Sequence, residues 1–258
     1  MTIQLRQVCL VAHKLPPVIN QLTGILGLNT CYVDPEVAEF GLENTLLPIG
    51  RNFLEVVSPI KVNTAAGRYL ERRQGDGGYM VITQADTLEA QRKTRKAALD
   101  NGVRVAHEWE RNGWRGCQLH PRDMQAAFLE IEHDVVSDFQ GHWMPAGGVG
   151  WEDKVKQDVA IDFLGVELQS DDPLATADLW SAVLGVPVLR EKDIFKLTLN
   201  NAYLRFVETT DGRGPGLSGV DVLVNAVDEI IARARERQCD ATGSTVTICG
   251  THFYLHEA

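Results

Sequence analysis

One short pattern occurs four times along this 258-residue chain, and it narrows the folds open to it. A strand-like run leads into an amphipathic helix that stops at Leu-Gly or Asn-Gly, and further strands follow. The repeats carry polar residues at equivalent places, and two of these are glutamates set inside apolar strands. Carboxylates hidden on paired sheets imply a cup that holds something.

The first module opens with the alternating run Gln7-Val8-Cys9-Leu10-Val11-Ala12-His13, a strand signature. Pro16-Pro17 then starts a helix with Leu15, Ile19, Leu22, Ile25 and Leu26 along one side, and Gly27 stops it. Strands are predicted around Cys31–Val33, Phe40–Leu47 and Phe53–Val57. The second module predicts a strand over Tyr79–Gln84, a helix over Thr87–Leu99, and strands over Val103–Trp109, Arg115–His120 and Ala127–Glu132. The third begins at Gly165-Val166-Glu167-Leu168, is capped by Asp172-Pro173 and ends its helix at Leu184-Gly185, with strands at Phe195–Leu199 and Ala202–Val207. The fourth starts at Gly219-Val220-Asp221-Val222, places a helix over Glu229–Gln238 and finishes with a strand over Thr251–His256.

Two domains suit this length, since domains of about 100–150 residues are usual. Gly-rich His142–Gly150, containing Pro145, is the best boundary. Residues 1–141 therefore read as one domain, 142–154 as a linker and 155–258 as a second. Between modules one and two, Thr64–Arg73 reads as a short helix. A formal net charge of −10, spread along the chain, argues against nucleic acid and anionic membrane as partners. Cys9, Cys31, Cys117, Cys239 and Cys249 form an odd set without a CxxC pair, read as reduced thiols. With no apolar run near the roughly 20 residues that span a bilayer and no signal-peptide pattern, the expectation is a cytoplasmic protein.

The tandem βαβββ plan, with the phrases Phe53-Leu54-Glu55-Val56-Val57-Ser58-Pro59 and His120-Pro121-Arg122-Asp123-Met124 leading to Phe128-Leu129-Glu130, resembles the vicinal oxygen chelate (VOC) superfamily. Glyoxalase I, methylmalonyl-CoA epimerase, extradiol dioxygenases and bleomycin-resistance proteins belong to it. The resemblance implies an α+β fold of two glyoxalase-like domains, each pairing two modules into cup-shaped mixed sheets.

Strand alternation divides the faces. Val8, Leu10, Ala12, Leu54, Val56, Met80, Ile82, Leu129 and Ile131 are expected to pack on helices. Gln7, Cys9, Val11, His13, Phe53, Glu55, Val57, Tyr79, Val81, Thr83, Phe128, Glu130 and Glu132 are expected on the opposite, cup-lining face. In the superfamily, metal ligands come from the first and last strands of each module. Carried over, they are Gln7, Glu55 and Glu130, with Tyr79, or Gly78 if the register shifts by one, where glyoxalase I has histidine. Three oxygen donors suit a divalent ion (Mn, Mg, Zn, Ni or Co), harder metals preferred. A protonated phenol is a poor ligand, so metal binding and a metal-free polar pocket both stay open. The third and fourth modules hold Gly165, Arg205, Gly219 and His256 at the equivalent places, so the second domain reads as metal-free, its cup face gathering Glu167, Arg205, Asp221 and His256.

Two functions follow. In the first, the protein is a metal-dependent lyase or isomerase that stabilises an enediolate, with Glu130 or Glu55 as general base. In the second, the cup sequesters a small molecule without chemistry. Tyr79, Phe53, Phe128, His13 and Trp109 are the candidate contacts for the substrate or ligand. His120 reads as structural, Arg68, Arg72 and Arg73 as a solvated face with anion binding as the alternative, and homodimerisation is open.

Overall fold

The computed structural model describes residues 2–139, 141, 143, 147–192 and 194–258. Its elements follow the fourfold plan. In the first module, β1 (Ile3–Val11) leads to α1 (Leu15–Leu26), β2 (Leu42–Ile49) and β3 (Asn52–Pro59). A connecting helix, α2 (Ala65–Arg73), precedes the second module: β4 (Gly77–Ala85), α3 (Leu88–Asp100), β5 (Val105–Arg111), β6 (Trp114–Leu119) and β7 (Phe128–His133). The third runs through β8 (Ala160–Ser170), α4 (Pro173–Leu184), β9 (Val188–Glu191), β10 (Ile194–Thr198) and β11 (Tyr203–Glu208). The fourth comprises β12 (Gly216–Val224), α5 (Val227–Glu236), β13 (Ala241–Thr242), β14 (Thr245–Ile248) and β15 (Thr251–Glu257). The hydrogen-bonded order is β2-β3-β1-β4-β7-β6-β5 in one mixed sheet and β13-β14-β15-β12-β8-β11-β10-β9 in the other.

Local chemistry explains the helix limits. Gly27 and Gly185 end α1 and α4 at φ 71° and 68°, the left-handed conformation that glycine adopts without a Cβ penalty. Asp172 and Thr87 cap α4 and α3 by accepting from Ala175 N and Ala90 N. The buried stripe of α1 is Leu15, Val18, Leu22, Ile25 and Leu26, so Val18 takes the inward place expected of Ile19. Around Cys31–Val33 an isolated bridge, Tyr32 to Leu46, stands where a strand is predicted. Asp34-Pro35 turns the chain into a 3-10 segment over Pro35–Phe40 instead, because proline withholds a ladder N–H.

Contacts group the chain into two compact units. The first comprises Met1–Gln7, Tyr79–His142 and Gly165–Leu217; the second comprises Val8–Gly78, Trp143–Leu164 and Ser218–Ala258. Of the predicted linker, His142 and residues 144–146, including Pro145, lie outside the described residues.

In the first unit α3 packs on α4. Trp180, fully buried, donates its indole N–H to the Met124 carbonyl at 2.8 Å and meets Phe206 edge-on. Asn201 imitates a strand, its amide bonding both Leu5 N and Leu5 O at 2.9 and 2.8 Å. In the second unit α1 packs on α5, and Phe53 meets Trp151 edge-on at 4.8 Å. Each unit also seats an aromatic ring over a strand glycine: Trp109 over Gly116 and Tyr203 over Gly165 in the first, Tyr254 over Gly219 in the second. A side chain at any of these glycines would occupy the ring's place.

Candidate functional site

The polar face of the first unit is built by strand register. In the parallel pair β4–β7, Met80 sits beside Phe128, Ile82 beside Glu130 and Gln84 beside Glu132. In the antiparallel pairs, Gln118 sits beside Glu130, Gly116 beside Glu132, and Trp109 beside Gly116. Registered neighbours project to the same side, so Met80, Ile82, Gln84, Phe128, Glu130, Glu132, Trp114, Gly116, Gln118 and Trp109 share one face. Val81, Leu129, Ile131, Cys117 and Leu119, all without exposure, share the other. This corrects the division of β4 by one residue: Met80 and Ile82 stand with Glu130, and Tyr79 does not. Tyr-Met-Val-Ile is apolar throughout, so alternation has nothing there with which to set its phase. The Tyr79 ring still reaches Phe128 edge-on at 5.0 Å.

Glu130 is 3% exposed, and burying a carboxylate demands partners. Trp109 Nε1 donates to its Oε1 and Gln118 Nε2 to its Oε2, each at 3.1 Å. The indole reaches Glu130 from two strands away because Gly116 leaves the intervening strand bare. Glu132 is treated alike, Trp114 Nε1 donating to its Oε2 at 2.6 Å, and the two indoles stack at 6.2 Å. Gln84, fully buried, accepts from Gln4 Nε2 at 3.2 Å, while its own Nε2 has no partner among the described residues.

Trp109 and Gly116 also line an open groove of about 440 Å³ with Gln91, Arg92, Arg95, Glu108, Glu110 and Arg115. Arg95 clasps Glu108 through two N–H groups, and Arg115 bonds Glu110 at 2.6 Å. The Arg95 hydrogen bond holds the Glu108 carboxyl below its ordinary range. Burial, with the Glu108 charge added, pushes the Cys117 thiol up to about 12.

The remaining site residues fall as follows. Gln7 is buried at the end of the first stretch of the first unit. Glu55, in the second unit, is 7% exposed and accepts from Asn44 Nδ2 at 2.6 Å. Phe53 is buried against Trp151. His13 is exposed, its Nδ1 2.7 Å from Asp76 Oδ1. His120 Nδ1 accepts from Arg122 N, a turn bond. On α2, Arg68 bonds the Asn63 carbonyl, Arg72 lies over the Tyr69 ring, and Arg73 is buried rather than solvated. The polar residues of the later modules form two pairs: Arg205 with Glu167 at 2.9 Å in the first unit, and His256 with Asp221 at 2.8 Å in the second. Gln118 and Gln84 are not among the residues that the sequence singles out. The signal available for them was the Gly116 gap between two tryptophans.

No family model matches the sequence, and no curated protein matches it. Solved structures do. A variant of 4-hydroxymandelate synthase from Streptomyces coelicolor superposes with a TM-score of 0.66 at 14% identity, covering 92% of this chain and 76% of that one. The chain has the vicinal oxygen chelate fold. A Mn(II)-bound glyoxalase from Novosphingobium aromaticivorans gives 0.66 at 13% identity, over 98% of this chain and 81% of its own. A hypothetical protein from Staphylococcus aureus gives 0.65 at 13%, each chain covered completely. The VOC fold is α+β, as predicted. No helix among the described residues is long and apolar enough to cross a membrane.

The similar glyoxalase is Mn(II)-bound, so the donor set matters. On the first unit's face, register gives Met80 the place beside Phe128, and a thioether is a soft ligand that suits neither Mn nor Mg. Both oxygens of Glu130 already accept N–H groups. Among the described residues, no group of three or more His, Cys, Asp and Glu side chains is arranged to hold a metal ion. The described His, Cys, Asp and Glu residues of the first unit's face therefore offer no ready-made cluster to a metal.

Proposed function

We propose that this VOC-fold chain binds a small organic molecule at the polar face of its first unit without a metal. The observation that carries this reading is the Gln84 amide, fully buried on the face of Glu130 and Glu132 with Nε2 unpartnered among the described residues. A buried N–H without an acceptor costs about 1–3 kcal/mol, and a ligand carbonyl or carboxylate would remove that cost. Glu130 and Glu132, fixed by indole and amide donors, supply oriented acceptors for a ligand hydroxyl or amine. The stacked indoles and Phe128 offer flat apolar surface, which favours a ligand with a planar or aromatic part.

In the competing reading, a metal-dependent lyase or isomerase forming an enediolate, Glu130 and Glu55 are the bases and Gln7, Glu55 and Glu130 the ligands. The known VOC enzymes support it by fold alone. Elemental analysis of untagged protein, combined with mass spectrometry of small molecules released on denaturation, separates the two. A stoichiometric organic ligand lost in Gln84→Ala and Glu130→Gln, with no stoichiometric metal, is expected. One metal per chain that disappears in a Glu55→Ala, Glu130→Ala double variant would overturn the proposal in favour of the lyase.

A further inference from the structure

The second unit carries an open groove of about 450 Å³ that the reading above does not use. It is lined by His13, Lys14, Pro17, Val18, Gln21, Asp76, Cys249 and Gly250. Three distant stretches of chain bring an imidazole, a carboxylate and a thiol to it.

Asp76 Oδ1 accepts from the His13 backbone N–H at 2.8 Å and lies 2.7 Å from His13 Nδ1. The amide bond locates the carboxylate, and the carboxylate orients the ring. A carboxylate only accepts, so Nδ1 carries the hydrogen facing Asp76, and Nε2 is the nitrogen left to take a proton. A base held by an orienting acid is the proton-accepting half of a nucleophile site. Cys249 occupies the β14–β15 turn at φ 52°, followed by Gly250 at φ 58°. Asn, Asp or Gly is usual at the first of these two places. The thiol donates to the Val11 carbonyl at 3.4 Å, two residues before His13. Lys14 adds positive charge, and Pro17 and Val18 an apolar wall.

We propose that Cys249, His13 and Asp76 form a second, nucleophilic site that takes small anionic electrophiles. Cys249 swings off the Val11 carbonyl and gives its Sγ proton to His13 Nε2. Sulfur bonds the electrophilic carbon, and the leaving group departs with its electron pair. Asp76 is a positioning residue that stays charged beside the imidazolium, and Lys14 attracts the anion.

Iodoacetate and iodoacetamide are the probes, with labelling of each cysteine in the native full chain followed by peptide mass spectrometry. Cys31, whose thiol burial pushes up to about 12, is the internal comparator. Cys249 is expected to react at least about tenfold faster than Cys31 and to favour iodoacetate. His13→Gln lowers the Cys249 rate by about 100-fold, the usual share of a general base, and leaves Cys31 and the melting temperature unchanged. His13→Asn gives the same loss if the first variant folds poorly. Asp76→Asn slows Cys249 alone, and Lys14→Gln reduces the preference for iodoacetate by about fivefold. Cys249 that stays unlabelled in the native protein, or labels equally fast without His13, overturns the proposal.

Discussion

Replacing Gly116 by alanine tests the architecture of the polar face. The new Cβ would lie 2.6 Å from Trp109 Cζ2, and closer still to Cε2 and Nε1. Atoms cannot share that space, so the indole must swing away and release Glu130 Oε1. Overpacking costs about 1–3 kcal/mol, and a lost hydrogen bond to a charged group about 1.5–3 kcal/mol. Trp109 is only half-buried and can turn outward, which relieves part of the clash, so a total near 3 kcal/mol is expected. For a chain of this size each kcal/mol moves the midpoint by about 2–4 °C, giving a loss of about 6–12 °C by thermal melting followed with near-UV circular dichroism. The decisive control is Trp109→Leu. In that background Gly116→Ala has no ring to displace and should cost little, leaving a coupling of about 1–3 kcal/mol between the two sites. Additive effects, or a Gly116→Ala protein with unchanged midpoint and aromatic signal, would refute the claim that the bare strand exists to let the indole reach Glu130.

Other outcomes follow from single contacts. Arg104 bonds Asp123 through two N–H groups and holds its carboxyl down to about 2, below the ordinary 3.8. The stabilisation is therefore complete above about pH 4 and disappears as pH falls towards 2; urea midpoints of the parent and Asp123→Asn should differ by a constant amount above pH 4 and converge near pH 2. Arg205→Met strands Glu167, whose side chain is 13% exposed, and should cost about 2–4 kcal/mol by urea unfolding, with Glu167→Leu in the same chain restoring most of it. Trp109→Phe keeps an aromatic ring but withdraws the donor from Glu130, so it should lower the ligand content measured by mass spectrometry. Equal ligand content in parent and Trp109→Phe would count against a binding role for Glu130.

Much of this architecture was readable in the residues. Helix ends were plain because Gly27 and Gly185 can only be explained by a left-handed stop, and the capping residues Thr87 and Asp172 mark the opposite ends. The glutamates at 55 and 130 stood out against apolar neighbours, and both are buried. The phase of β4 was not readable, since a strand buried on both sides carries no alternation. The partners of Glu130 were also hidden: Trp109 and Gln118 lie 21 and 12 residues away in sequence, and only the register of a bulged β5–β6 hairpin brings them to it. The His13–Asp76 pair spans 63 residues and has no local signature at all.

The packing of α3 on α4 and of α1 on α5 bears on how the chain is made. Each of these pairs joins an early helix to one from the last hundred residues, so the first half leaves the ribosome with helix flanks that nothing yet covers. Final closure of either unit has to wait until synthesis is nearly complete. A fragment ending near Gly150 would inherit that unfinished state permanently, and it should aggregate or recruit chaperones where the full chain does not.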